Sequence, residues 1–213
     1  MTRIKICGVN SETAFDAVVA EAADYLGFVF FERSPRFIPP ARAAALSARH
    51  SGGPLRTALF VEPHPADIAA SLSIFRPDIL QIYGSAGLCR QIRSESGLPV
   101  WRAIGVATKP DLPADSEGLD GFVIEAKPPA GATRPGGNAT AMDWALLAGW
   151  AAPAPWLLGG GLNPSNVAQA IAQTGAPGVD VSSGVETAPG EKSPALIHDF
   201  VSEARRAIAG TTR

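Results

Sequence analysis

A chain of 213 residues, 46% apolar and 18% charged, has enough interior for one substantial core, which excludes a disordered segment and a small disulfide-stapled scaffold. Its 18 Lys and Arg against 20 Asp and Glu leave a formal charge of -2, without the basic excess that attracts a nucleic-acid backbone. Two cysteines, Cys7 and Cys89, cannot build a disulfide framework, and the start Met1-Thr2-Arg3-Ile4-Lys5 has no apolar signal region, so a reducing, cytoplasmic setting is expected.

In chain order, short apolar runs alternate with helical patterns. Strands are expected at residues 4–7, 25–30, 57–61, 79–82, 100–103, 122–124, 156–158 and 179–181. These runs are nearly continuous in apolar residues, as parallel strands covered on both faces require. Helices are expected at residues 12–23, 40–50, 65–75, 86–95, 165–174 and 193–208, with Asn163-Pro164 as the start signal of the fifth. The segments 109–119 and 144–150 are too proline-rich or too short for full helices. Residues 144–179 carry no charged side chain, but prolines and the triplet Gly159-Gly160-Gly161 interrupt them before the ~20 apolar residues that a membrane-spanning helix needs. Eight strands in strict alternation predict a compact, single-domain (β/α)8 TIM barrel over residues 1–213, with one or two outer helices short or missing. No G-x-G-x-x-G motif follows the first strand to favour an open dinucleotide-binding sheet.

Barrel chemistry sits at the C-terminal strand ends, and that filter selects Cys7, Arg36, Gln81, Tyr83, Arg102, Glu125, Gly160, Gly161 and the run Asp180-Val181-Ser182-Ser183-Gly184-Val185-Glu186. Gly160-Gly161 lets backbone approach an anion, and Ser182 and Ser183 add donors, so a phosphorylated substrate is expected at loops seven and eight; plain turns are the alternative. Glu125 ends an apolar run, which places a carboxyl with a raised pKa at the mouth, unless it is a solvated loop residue beside Lys127. Cys7 by itself reads first as a small buried hydrophobe, although its strand-end position before Gly8 favours a catalytic thiol more than an ordinary site would. Arg36, in a long second loop, has the geometry to offer a bidentate fork to a carboxylate. His50, His64 and His198 fall on outer helices or their starts, so neither a metal cluster nor a Ser-His-Asp triad is expected.

An ordered set of motifs sharpens this picture. Lys5-Ile6-Cys7-Gly8, Gly27-Phe28-Val29-Phe30, Ser34-Pro35-Arg36-Phe37-Ile38, Leu80-Gln81, Pro135-Gly136-Gly137 ahead of Asp143-Trp144, Gly160-Gly161-Leu162-Asn163-Pro164 and the run from Val179 to Glu186 together resemble phosphoribosylanthranilate isomerase of tryptophan biosynthesis. The resemblance implies a cofactor-free Amadori rearrangement of N-(5-phosphoribosyl)anthranilate to 1-(2-carboxyphenylamino)-1-deoxyribulose 5-phosphate. It also implies Cys7 as general base, Glu125 as general acid and Arg36 on the anthranilate carboxylate. The remaining substrate contacts would come from Gln81, Tyr83, Gly160, Gly161, Asp180, Ser182 and Ser183. The implied partner is a small phosphorylated molecule, with no metal, nucleic acid or membrane, and the chain acts as monomer or homodimer. Three positions around the site depart from the family pattern: Glu125 stands for aspartate, Tyr83 for histidine and Gly159 for serine or alanine. Ser193 replaces an aspartate further on. A degenerate relative that binds a sugar phosphate without turnover is the alternative, as is an isomerase of another aminoaldose phosphate.

Overall fold

The computed structural model describes residues 2–127 and 142–210. Eight parallel strands close into a barrel: β1 (Arg3–Cys7), β2 (Tyr25–Val29), β3 (Leu55–Val61), β4 (Ile79–Tyr83), β5 (Val100–Val106), β6 (Gly121–Ala126), β7 (Trp156–Leu158) and β8 (Gly178–Val181). The seam is the pairing of β8 with β1, from Arg3 opposite Gly178 to Ile6 opposite Val181. Around it lie α1 (Glu12–Ala20), α2 (Pro40–Ser47), α3 (Pro65–Leu72), α4 (Ala86–Ser96), α5 (Val167–Thr174) and α6 (Pro194–Gly210). The architecture is the expected (β/α)8 barrel.

Local chemistry sets the helix ends. The Ser11 and Ser85 hydroxyls accept from the Ala14 and Leu88 amides and so cap α1 and α4. Pro40 and Pro65 open α2 and α3, where a missing N–H costs nothing. Several helices end one turn before the sequence patterns do, because the last apolar residues pack from the loop; Ala23 and Phe75 are both buried beyond their helices. The two weak connections are single 3₁₀ turns, Lys109–Asp111 after β5 and Trp144–Leu147 after β6. The Pro135-Gly136-Gly137 motif lies outside the described residues.

Asn163-Pro164 does not start a helix at 165. The Asn163 side chain accepts from the Ser165 amide and hydroxyl, forming a turn, and α5 begins at Val167. A short hairpin absent from the expected elements, β9 (Glu186–Ala188) with β10 (Glu191–Lys192), projects from the loop after β8.

Strand parity divides the core in two. Leu80 and Ile82 face the helices, in one large cluster with Phe15, Phe28, Phe122 and Phe200. Ile79, Trp101, Ala103, Val123 and Leu157 plug the barrel interior, while Cys7, Val29 and Leu59 form a second interior group; Tyr83 packs against both. Between these groups the interior is polar. The fully buried Lys5 ammonium donates to Asp180 Oδ1 at 2.9 Å across the β1–β8 seam.

Removing one partner of a buried ion pair leaves the other charge uncompensated. Lys5→Met is therefore expected to lower stability by about 3 kcal/mol in urea denaturation, with Lys5→Met/Asp180→Leu recovering most of it. A loss below about 1 kcal/mol would reduce the pair to the worth of a surface contact.

Candidate active site

The C-terminal mouth of the barrel holds a cavity of about 650 Å³, part of it open to solvent. Cys7 from β1, Tyr83 from β4, Glu125 from β6 and Asp180 from β8 face into it, together with Gly160, Gly161, Ser182 and Ser183. An apolar wall of Val29, Phe31, Leu59 and Val61 covers the β2–β3 side, and Arg36 stands at its edge. Nine of the ten expected site residues thus converge.

Gln81 is the exception. It points inward from β4 two residues below Tyr83, is fully buried and lies outside the cavity lining. Neither its amide nitrogen nor its carbonyl oxygen has a hydrogen-bond partner among the described residues. Arg102, selected as a strand-end residue, is also misplaced: parity turns it outward, where its guanidinium donates to the Gly84 carbonyl and to Glu117. Glu125 lies within β6 and not beyond it, since the strand continues past the apolar run to pair Gly105 with Glu125.

The Cys7 thiol is 4% exposed, and burial pushes its pKa up. Lys5 and Lys192 oppose that shift, and Asp180 adds to it. Burial also raises Glu125 to about 8, with the Tyr83 hydroxyl and Lys5 favouring its charged form and Asp180 disfavouring it. A carboxyl with that value is protonated at neutral pH, as a proton donor must be.

Arg36 is nearly buried, and its Nε and Nη2 both donate to Glu186 at 2.8 Å. The fork expected for a substrate carboxylate is therefore taken by the protein, leaving Nη1. Gly8 makes the approach possible: with φ +76 it follows Cys7, and a Cβ there would sit 2.7 Å from Arg36 Cδ. Glu186 also accepts from Lys192 Nζ at 2.6 Å, and that ammonium donates to the Ser182 carbonyl at 3.0 Å. The Ser182 hydroxyl in turn donates to the Cys7 carbonyl at 3.1 Å. Loops seven and eight meet at Gly184, where a Cβ would fall 1.8 Å from the Leu162 carbonyl oxygen, so only glycine fits.

Glu186 closed the run selected after strand eight but without a role, and Lys5 and Lys192 were not among the expected site residues. Lys5 had a readable signal: a lysine inside a strand covered on both faces needs a buried anion. Lys192 had none, because its neighbours come from a hairpin that periodicity does not reveal. Among the described residues no group of His, Cys, Asp and Glu could hold a metal ion, and no helix is long and apolar enough to cross a membrane.

The electrostatic reading is directly measurable. In protein carrying carbon-13 glutamate, the Glu125 carboxyl carbon is expected to titrate near pH 8, with the signal assigned through Glu125→Gln. A midpoint at the model-peptide value of about 4.3 would contradict it.

The chain's relatives share this architecture. The family model for N-(5'phosphoribosyl)anthranilate (PRA) isomerase matches residues 4–203. An N-(5'-phosphoribosyl)anthranilate isomerase of Acidiphilium cryptum is 56% identical over 207 residues, covering 97% of this chain and 100% of the relative. One from Rhodospirillum rubrum is 49% identical over 213 residues, covering 96% and 98%. Among solved structures, phosphoribosyl anthranilate isomerase from Thermotoga maritima superposes with a TM-score of 0.83 at 31% identity, covering 97% of this chain and 100% of that one. A phosphoribosyl anthranilate isomerase in complex with reduced 1-(o-carboxyphenylamino)-1-deoxyribulose 5-phosphate gives a TM-score of 0.81 at 30% identity, with the same coverage. With such identity along nearly the whole of both chains, on the same closed barrel, this chain belongs to the N-(5'-phosphoribosyl)anthranilate isomerase family.

Proposed function

We propose that this chain rearranges N-(5'-phosphoribosyl)anthranilate by an acid and a base of its own, Glu125 and Cys7, acting on one sugar held in the barrel mouth. The observation that supports this most is the convergence of a neutral carboxyl and a thiol, from β6 and β1, on a single cavity. Glu125 gives its proton to the furanose ring oxygen; the C1–O bond breaks and the aniline nitrogen's lone pair forms a protonated Schiff base. The Cys7 thiolate then takes the C2 proton, and the C–H electrons move through C1 to neutralise the nitrogen. The resulting enolamine tautomerises to the ketone. Protons and electrons balance without an added oxidant or metal.

The rest of the cavity fits the substrate's two ends. Gly160, Gly161, Ser182 and Ser183 take the phosphate at loops seven and eight through backbone amides and the Ser183 hydroxyl, since the Ser182 hydroxyl already donates to the Cys7 carbonyl. Val29, Phe31, Leu59 and Val61 take the aromatic ring, and Arg36 Nη1 the anthranilate carboxylate, with Glu186 fixing the guanidinium plane. Asp180, held by Lys5, lines the site beside the thiol. A cytoplasmic setting accords with Cys7 and Cys89 as free, buried thiols.

Removing either proton-transfer group is expected to lower kcat by about 100-fold or more with KM changed only a few-fold, for Cys7→Ala and for Glu125→Gln alike. Fluorescence-monitored turnover of freshly made substrate measures both. Binding of the reduced product analogue by the unmutated protein without turnover would favour a degenerate relative instead.

The pH profile follows from the two shifts. Catalysis needs Cys7 deprotonated and Glu125 protonated, yet the thiol's pKa lies above its ordinary value and the carboxyl's near 8. The pair loses its first proton near pH 8 and its second above the ordinary thiol value, and the active form is the singly protonated state. Log kcat/KM is therefore expected to rise with a slope of about one up to pH 8, level off, and fall only at more alkaline pH. A flat profile between pH 6.5 and 8 would overturn the assignment.

A further inference from the structure

Glu125 occupies an unusual gap in the barrel wall. On one side, the inward positions of β5 at this height are Ala103, opposite Tyr83, and Gly105, opposite Glu125. Neither fills the space between the phenol on β4 and the carboxyl on β6. On the other side, a Cβ at Gly159 would lie 3.6 Å from Glu125 Cβ, and one at Gly160 would lie 3.2 Å from it. A Cβ at Gly160 would crowd the glutamate stem, whereas one at Gly159 would make only ordinary contact with it.

Within that gap Glu125 is 6% exposed, and its Oε1 has no hydrogen-bond partner among the described residues. A longer acid than aspartate gains reach but also one more rotatable bond, so its direction needs a second group to fix it. Tyr83 is the neighbour placed to do so. It packs against both interior groups of the barrel, which hold its ring, and lines the cavity alongside Glu125. Burial and the Glu125 charge keep its phenol protonated, hence a donor.

We propose that Tyr83 is the positioning residue for Glu125. Its O–H reaches over Ala103 and Gly105 to the carbonyl oxygen of the protonated carboxyl, which leaves the carboxyl O–H as the group aimed at the sugar. Tyr83 and Glu125, two of the departures around the mouth noted in the sequence, thereby form one unit. This inference rests on the reading of Glu125 as the acid. The other groups facing Glu125 are Asp180 from β8 and Lys5 from β1, with the Cys7 thiol across the cavity; the inward positions of β5 and β7 bring no charge, Arg102 of β5 facing outward.

Tyr83→Phe keeps the ring and removes only the donor. In the full-length protein kcat is expected to fall about tenfold with KM nearly unchanged. The limb of the pH profile near 8 is expected to move upward, because the hydroxyl that favoured the carboxylate is gone. In a double-mutant cycle, Glu125→Asp is expected to cost less in the Tyr83→Phe background than in the unmutated protein. Unchanged kcat, or a lower kcat with an unmoved limb and additive costs, would overturn the proposal. Either result could stand beside intact turnover that Glu125→Gln abolishes, so its failure is separable from failure of the Glu125 assignment.

Discussion

The buried ion pair between Lys5 and Asp180 is the constraint on which the rest of the structure turns. It spans the β1–β8 seam, where the last strand returns to the first, and it takes two charges out of water to do so. Such a pair is poor evidence for stability by itself, since well-packed hydrophobes often do as well. Its consequence here is positional. Lys5 stands two residues below Cys7 on the same strand face, and Asp180 opens into the cavity beside the thiol. Its two members act with opposite signs on both proposed proton-transfer groups: Asp180 raises, and Lys5 lowers, the pKa of Cys7 and of Glu125. Desolvation outweighs these contributions, so the resting mouth holds a neutral thiol and a neutral carboxyl. The proposed mechanism needs a thiolate beside that neutral carboxyl, a minority state at neutral pH.

A second chain of contacts links the loop after β8 and Arg36 to that centre. Cys7 accepts from Ser182, Ser182 accepts from Lys192, and Lys192 and Arg36 share Glu186. The hairpin that carries Lys192 also abuts the first loop, where the Asn10 amide donates to the Gly190 carbonyl at 3.1 Å. The loop expected to hold phosphate and the arginine expected to hold the carboxylate are therefore fixed to each other before substrate arrives. Preorganisation of this kind lowers the ordering cost of binding and holds reacting groups within the narrow tolerance that proton transfer requires.

Much of this was legible in the sequence. Alternation of apolar runs with helical patterns gave the barrel, and the strand-end filter gave Cys7, Tyr83, Glu125 and Asp180, because parallel strands in a closed sheet carry chemistry at one end only. The misses have physical causes. Gln81 faces inward like Tyr83 but lies too deep to line the cavity, and Arg102 faces outward because adjacent residues on a strand alternate sides; a filter by position alone sees neither depth nor side. Arg36 was found, but its bidentate partner is an internal glutamate 150 residues away, a pairing no local pattern reveals. Asn163 competes for nearby amides in a turn as readily as at a helix start, and here the turn prevails.

In the proposed mechanism Cys7 and Glu125 address one sugar from different strands of the barrel. A crystal structure of this protein with the reduced product analogue bound tests it most directly, through the contacts of C2 and of the oxygen derived from the ring. The account places Cys7 Sγ within about 3.5 Å of C2 and the Glu125 carboxyl within hydrogen-bond reach of that oxygen, on the other side of the chain. An analogue seated with its phosphate on loops seven and eight, but with either side chain turned away from the sugar, would contradict it.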